Sequence, residues 1–449
     1  MNPAQPIRLA RRLGVYDAAL IVMGGIIGSG IFRNPSVVAQ RVPSPALMYA
    51  VWACGGVVAI LGAFIFAELA ARRPHDGGLY AYMRDAFHPV VAFMYGWTLL
   101  LVSQSGGAAA SAITFAGYLQ RLGGWYPGEK IVAVSTLLFL TIVNCLGVRA
   151  GSNVQNVLML LKIGALLLLI GVGIFVPGSH APVSASPFSS NWSALGGMGV
   201  AMIPVLFAYS GWQTSSFMTG ELKNPTRTLS RGILWGVSGV IVLYMLVNYV
   251  CIHVLGVAGL KATDTPAAAV LQHAWGPSGA KIIAAAIMLS TFGFMSNQIL
   301  TAPRVYHAMA EDGTFFRFVS WLDPRTRAPV IAVLLQGGFA IAIALTGRYD
   351  QILNYVTSVD YVFFVLSAIA LFIFRARDAR TGAAQPSFRV PGHPVTTMLF
   401  LLIAAGVVLD TYVTFPSNSL IGLGILLLAV PIYYAFLHRA PFMPPIRRE

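Results

Sequence analysis

The sequence predicts an all-α integral membrane protein of twelve transmembrane helices, and three observations carry that expectation. Of 449 residues, 57% are hydrophobic and 10% charged, with a mean hydropathy of +0.74, whereas soluble domains carry roughly 25% charge. Twelve predominantly apolar stretches lie near 15–39, 44–70, 89–118, 130–148, 150–175, 194–219, 231–257, 278–303, 329–346, 351–374, 394–415 and 418–437. Each is near the roughly 20 residues that a helix needs to cross hydrocarbon. The basic residues, finally, are sorted by loop. With a cytoplasmic N-terminus, 21 of the 29 Lys and Arg fall in tails and loops on that side, 7 on the other, and one, Lys162, inside a span. That is the positive-inside pattern, and it places both termini in the cytoplasm. It also explains the net charge of +14 by orientation and anionic lipid, not by nucleic acid.

Along the chain, the first stretch is broken at its middle by Gly24, Gly25, Gly28, Ser29 and Gly30. Glycines that unwind a membrane helix are tolerated where the freed amides and carbonyls meet protein, water or a ligand, so the break marks a site at mid-membrane depth. With further spans and no polar domain behind it, this segment reads as an uncleaved start-transfer helix. The second stretch ends on Glu68 beside Arg72 and Arg73, and the third carries Gln104 and Ser105 midway. The fifth holds Lys162 twelve residues in, where an unpaired charge costs several kcal/mol. Its snorkelling to an interface would need about 18 Å of reach.

The Pro- and Ser-containing interval 176–193 divides the chain into halves. The sixth stretch then carries a second break, with Pro204 removing a backbone donor and Ser210-Gly211 permitting an unwound turn. Interrupted spans at corresponding places in two five-span halves point to an inverted-repeat transporter with its site between them. A single membrane domain, 1–449, is expected, with a first repeat in 1–175, a second in 194–375, and helices 11 and 12 with the tail in 394–449. Ser296-Asn297-Gln298 sit at mid-depth in span eight and Asp360 in span ten, the repeat counterpart of span five. The polar groups of Gln104 and Asn297 face either the substrate or other helices. Asp360 belongs either to a gate or coupling network, or to hydrogen bonds with backbone and Tyr side chains in a vestibule. Glu68, Glu221 and Asp17 are placed at the cytoplasmic side, as gate ion pairs or as ordinary solvated ones.

The residues that carry a resemblance are Ile-Gly-Ser-Gly-Ile-Phe at 27–32, Phe-Ala-Tyr-Ser-Gly-Trp at 207–212 and Gly-Glu-Leu-Lys-Asn-Pro-Thr-Arg at 220–227. Ala-Glu-Leu-Ala at 67–70 and Pro-Arg-Val-Tyr-His-Ala-Met-Ala-Glu-Asp-Gly at 303–313 add to them. Over nearly its whole length the chain resembles the amino acid-polyamine-organocation transporters, in particular bacterial relatives of the L-type amino acid exchangers. The resemblance implies the LeuT-type fold, a 5+5 inverted repeat plus two peripheral helices. It implies an amino acid whose carboxylate rests on Gly28, Ser29 and Gly30 and whose ammonium meets the carbonyls of Ile26, Phe207 and Ser210. The polarity suits helix ends, amides for an anion and carbonyls for a cation. Phe207 is implied as a gate, with Tyr209 and Gly211 beside it, and the Lys162 ammonium as the stand-in for a sodium ion between spans one, five and eight.

These expectations define a sodium-independent exchanger of small or medium neutral L-amino acids in a bacterial inner membrane, with proton symport and a membrane sensor as alternatives. Neutral substrates are preferred because no acidic residue is close in sequence to either break. No zinc or magnesium ligand spacing and no nucleophile elbow occurs, so neither an enzyme nor a cofactor is expected. Residues 119–129 lack the cysteine by which eukaryotic L-type members hold a glycoprotein, so no covalent heavy-chain subunit is expected. Cys54, Cys145 and Cys251 all lie in apolar stretches and read as packing residues.

Overall fold

A computed structural model describes residues 13–75, 77–123, 127–178, 192–346, 349–414 and 416–437. Both tails and most of the 176–193 interval lie outside the described residues. The first apolar stretch forms α1 (Val15–Ile26) and α2 (Gly30–Arg41), bent by 43° across a three-residue break. The second is α3 (Pro45–Arg72), started by Pro45 at its first turn and by Ser44, whose side chain accepts from the Leu47 amide at 3.3 Å. After the short α4 (Leu79–Ala86), a span runs through α5 (Pro89–Thr98), a π-helical turn over Leu99–Ser103 and α6 (Gln104–Leu122). Then come α7 (Glu129–Cys145) and α8 (Val148–Phe175).

The second half repeats the opening theme. α9 (Trp192–Tyr209) ends at Ser210-Gly211, and a 3-10 helix, Trp212–Glu221, continues the path. The remaining helices are α10 (Pro225–Lys261), α11 (Pro266–Thr301), α12 (Pro303–Glu311), α13 (Val330–Thr346), α14 (Tyr349–Thr381), α15 (Val395–Thr414) and α16 (Pro416–Ile432). Among the described residues the fold is all-helical, and eight helices are long and apolar enough to cross a membrane, nine if the bent pair is one span. The sequence led to an expectation of twelve. Three of the expected spans fall outside that count of the described residues: α7 and α13 are each described over 17 residues, and the sixth stretch is divided at Ser210-Gly211.

The broken helices lie at the centre. α1 packs on α10 and on the 3-10 helix, while α2 packs on α9, so the first half of each break faces the second half of the other. α3 against α10, and α11 against α6 and α8, enclose this pair. Asn34 of α2 ties the halves by donating to the Pro204 carbonyl at 2.6 Å. Pro204 does not break α9, which runs on to Tyr209; the carbonyl that its missing N–H leaves without a helical donor is that of Val200, and it accepts from Arg41 Nη1.

Candidate functional site

The two breaks are built differently. In the first, the helix persists through Gly24 and Gly25 and opens over Ile27, Gly28 and Ser29. The sequence put all the glycines in the unwound part; the structure uses Gly25 for contact instead. A Cβ on Gly25 would lie 2.9 Å from the Gly211 carbonyl oxygen, and one on Gly211 would run into the Gly25 carbonyl. Gly211 also holds φ of +117°, which L side chains rarely adopt. The two backbones therefore touch at a pair of glycines, and the breaks open on either side of that contact.

The freed carbonyls have partners. Lys162 Nζ, fully buried on α8, donates to the Ile27 carbonyl, and a Cβ on Gly293 of α11 would sit 3.7 Å from that nitrogen. The lysine thus lies among α1, α8 and α11, and among the described residues it has no carboxylate ion pair within 4.0 Å. The Tyr244 hydroxyl of α10 is 3.2 Å from both the Ile26 and the Ala208 carbonyls, one from each broken helix. Sequence reading missed Tyr244, since one tyrosine in a long apolar helix gives no signal of what it faces. At the second break the Phe207 carbonyl accepts from the Ser210 amide at 3.2 Å and from Ser210 Oγ at 2.8 Å.

Around the breaks lies a narrow cavity of about 70 Å³, tighter than the roughly 300–1,000 Å³ of open small-molecule sites. Gly28, Ser29 and Gly30 line it from the first break, with Ile26 beside them, and Phe207, Ser210 and Gly211 line it from the second. Gln104 and Asp360 also reach it. Asp360 accepts from Ser103 Oγ at 2.5 Å. The premise that no acid stands near the breaks is therefore corrected: 150 residues of chain separate Asp360 from Ser210 in sequence (360 less 210), and packing of α14 closes that gap.

Two expected residues lie elsewhere. Tyr209 is not among the lining residues; it is fully buried against Trp52 and Tyr244, ring centroids 5.8 and 5.0 Å away. Each residue turns a helix by about 100°, so residue 209, two past Phe207, is rotated by about 200° and faces away from it. Asn297 turns to α1 and donates to the Ile21 carbonyl at 2.8 Å, whereas its neighbour Gln298 lines the cavity. Phe294 of α11 lines it as well, a ring that a Cβ on Gly28 would approach to 3.3 Å. Residues 294 and 298 share a helix face at i, i+4, a spacing legible in sequence only once the face is known.

Past Ser29 a second, solvent-facing cavity begins, lined by Arg33, Glu129, Asp264 and Thr265. The opposite end of the bundle is closed by ion pairs. Buried Glu68 accepts from Arg72 Nε at 2.7 Å, from Arg375 Nη2 at 2.5 Å and from the Val390 amide at 2.6 Å. Arg72 and Arg73 both pair with Asp378. Glu221 pairs with Arg304 at 3.0 Å, both buried, so this ion pair reaches across helices and is not an ordinary solvated one. Here the 3-10 helix carries Glu221 inward to the α11–α12 junction. Asp17 stays out of this network; it accepts from the Gly14 amide at 2.8 Å at the start of α1 and from Asn156 at 3.0 Å. Arg84 pairs with Asp85 and Asp312. Burial pushes the Asp312 carboxyl above its ordinary pKa, while Arg84 and Tyr80 pull it back.

An all-helical protein with helices long and apolar enough to cross a membrane and a central cavity at paired helix breaks has the outline of a permease, and comparison with known proteins agrees. The amino acid permease family matches residues 13–437, and the chain belongs to that family. It is 28% identical to the serine/threonine exchanger SteT of Bacillus subtilis over 96% of this chain and 98% of that protein. It is also 28% identical to the mouse b(0,+)-type amino acid transporter 1, over 88% of this chain and 82% of the relative. The human large neutral amino acids transporter small subunit 2 matches at 28% over 95% and 81%.

Proposed function

We propose that this protein is a sodium-independent exchanger of small or medium neutral L-amino acids that works by alternating access. The observation that carries this reading is the cavity where the two breaks meet; in this reading Gly28–Gly30 offer amides to a carboxylate, and Ile26, Phe207 and Ser210 offer carbonyls to an ammonium. Ser29 donates its hydroxyl to the carboxylate, and Phe207 closes over the bound amino acid. The Ser210 hydroxyl, bonded to the Phe207 carbonyl, rotates away to let the ammonium in. A relative over nearly the full length is named for serine and threonine exchange, which agrees with a small substrate.

The fold in this reading is the LeuT type. Spans 1 to 5 and 6 to 10 form the inverted repeats, in 1–175 and 194–375, and α15 and α16 are the peripheral pair that makes twelve. The reciprocal packing of α1 on the 3-10 helix and of α2 on α9 supports a two-fold relation between the halves. Lys162 fills the place of a sodium ion, because its ammonium on the Ile27 carbonyl neutralises a helix end as a bound cation would. The protein sits in a bacterial inner membrane with both termini cytoplasmic, and works without a covalently attached subunit or a cofactor.

The test is counterflow in proteoliposomes of the purified chain. Serine loaded inside should accelerate entry of labelled serine, and replacing sodium with choline should leave the rate unchanged. Entry that needs sodium, or that ignores internal amino acid, overturns the reading.

A further inference from the structure

The cavity carries one formal charge, and it is negative. Among the described residues that line it there is no Lys, Arg or His, and Asp360 is the only acid. One carboxylate oxygen is held by Ser103 at 2.5 Å. Gln104 and Gln298, each 4% exposed, line the same space, and each has a buried amide oxygen with no hydrogen-bond partner. One carboxylate and two carboxamides thus meet at one space from three elements, α14, α6 and α11, with the Gln213 carboxamide of the 3-10 helix beside them. The reading above uses none of them, since both charged ends of an amino acid backbone are met by the broken helices.

Local backbone supports a functional reason for this cluster. Ser103 closes the π-helical turn Leu99–Ser103, and Gln104 opens α6 directly after it. A π-helical turn interrupts the regular α-helical hydrogen-bond ladder and is frequent at functional sites. Buried acceptors without partners are costly, and a ligand that brings a donor recovers the cost while an aliphatic one does not. Phe207 and Phe294 add apolar wall to the same space.

We propose that Asp360, with Gln104 and Gln298, receives the substrate's side chain and selects amino acids whose side chain donates a hydrogen bond over aliphatic ones of the same shape. Hydroxyl amino acids are the neutral members of that class. The inference rests on the cavity being the amino acid site, and deepens that reading by naming what the side-chain end recognises.

Threonine and valine are nearly the same shape and differ by a donor, so they make the test. In counterflow of labelled serine by the full chain in proteoliposomes, threonine should compete at about tenfold lower concentration than valine, the factor one hydrogen bond to a charged acceptor carries. D360A should bring the two within about twofold by weakening threonine and sparing valine. Q298L should lower the ratio in the same direction by a smaller factor, and it serves if D360A is not monodisperse on size exclusion. A wild-type ratio near one, or variants that lower both competitors equally, overturns the proposal while leaving exchange intact. Absence of counterflow with every amino acid removes the exchanger reading and this inference with it.

Discussion

At one end of the bundle Arg72, Arg375 and Asp378, all partly buried, form a network around buried Glu68 that joins α3 to α14; at the other, Arg33, Glu129 and Asp264 line a solvent-facing cavity that shares Ser29 with the central one. The contrast sets a charge network closed on itself against a solvated vestibule. Paired charges excluded from water lock helices in register, because separating them leaves each uncompensated. Exposed charges are screened and solvated, and leave the helices beside them free to part. The sealed end is thus the stiff one, and the two glycines in contact at Gly25 and Gly211 lie between it and the open one.

Breaking the comparison should cost most at the sealed end. Arg304→Ala leaves the Glu221 carboxylate buried without its guanidinium and should destabilise the protein by about 3–5 kcal/mol, read as a lowered midpoint of thermal unfolding in detergent. Glu68→Gln removes the hub that Arg72 and Arg375 share, at about 1–3 kcal/mol. It should also raise the reactivity of a cysteine introduced at Ala71 toward a membrane-impermeant maleimide; unchanged labelling would mean that the network does not hold this end closed. Gly211→Ala strains the positive φ and presses a methyl into Gly25, at about 1–3 kcal/mol. Because it separates the two breaks, serine counterflow should fall at least tenfold even where the protein remains monodisperse. At the open end, Glu129→Gln and Asp264→Asn should change stability by no more than about 0.5 kcal/mol and exchange by less than twofold. A larger loss there would show the vestibule charges to be structural and erase the contrast.

Much of this was legible beforehand, for reasons that can be named. Gly28, Ser29 and Gly30 announce themselves because an unwound membrane helix needs residues that few other places tolerate. Lys162 does so because a lone lysine in hydrocarbon must have a partner. Gln104 was noticed for its polarity, though its sequence position could not say that a π-helical turn precedes it. Tyr209 and Asn297 misled because each has a neighbour, Phe207 or Gln298, that takes the cavity face, and helix rotation is set by packing. The ion-pair partner of Glu221 was not legible, because Arg304 arrives from another helix.

The sequence by itself determined the membrane habit, the family and the two places where the backbone opens, since hydropathy, charge sorting and glycine act locally and survive without knowledge of the fold. Only the tertiary structure decided which carbonyls of those openings Lys162 and Tyr244 satisfy, which acids seal one end, and that Asp360 stands in the cavity. Those are meetings between residues on different helices, fixed by how buried helices rotate against one another. In a span that is apolar on every side, the sequence carries little sign of which face is turned inward.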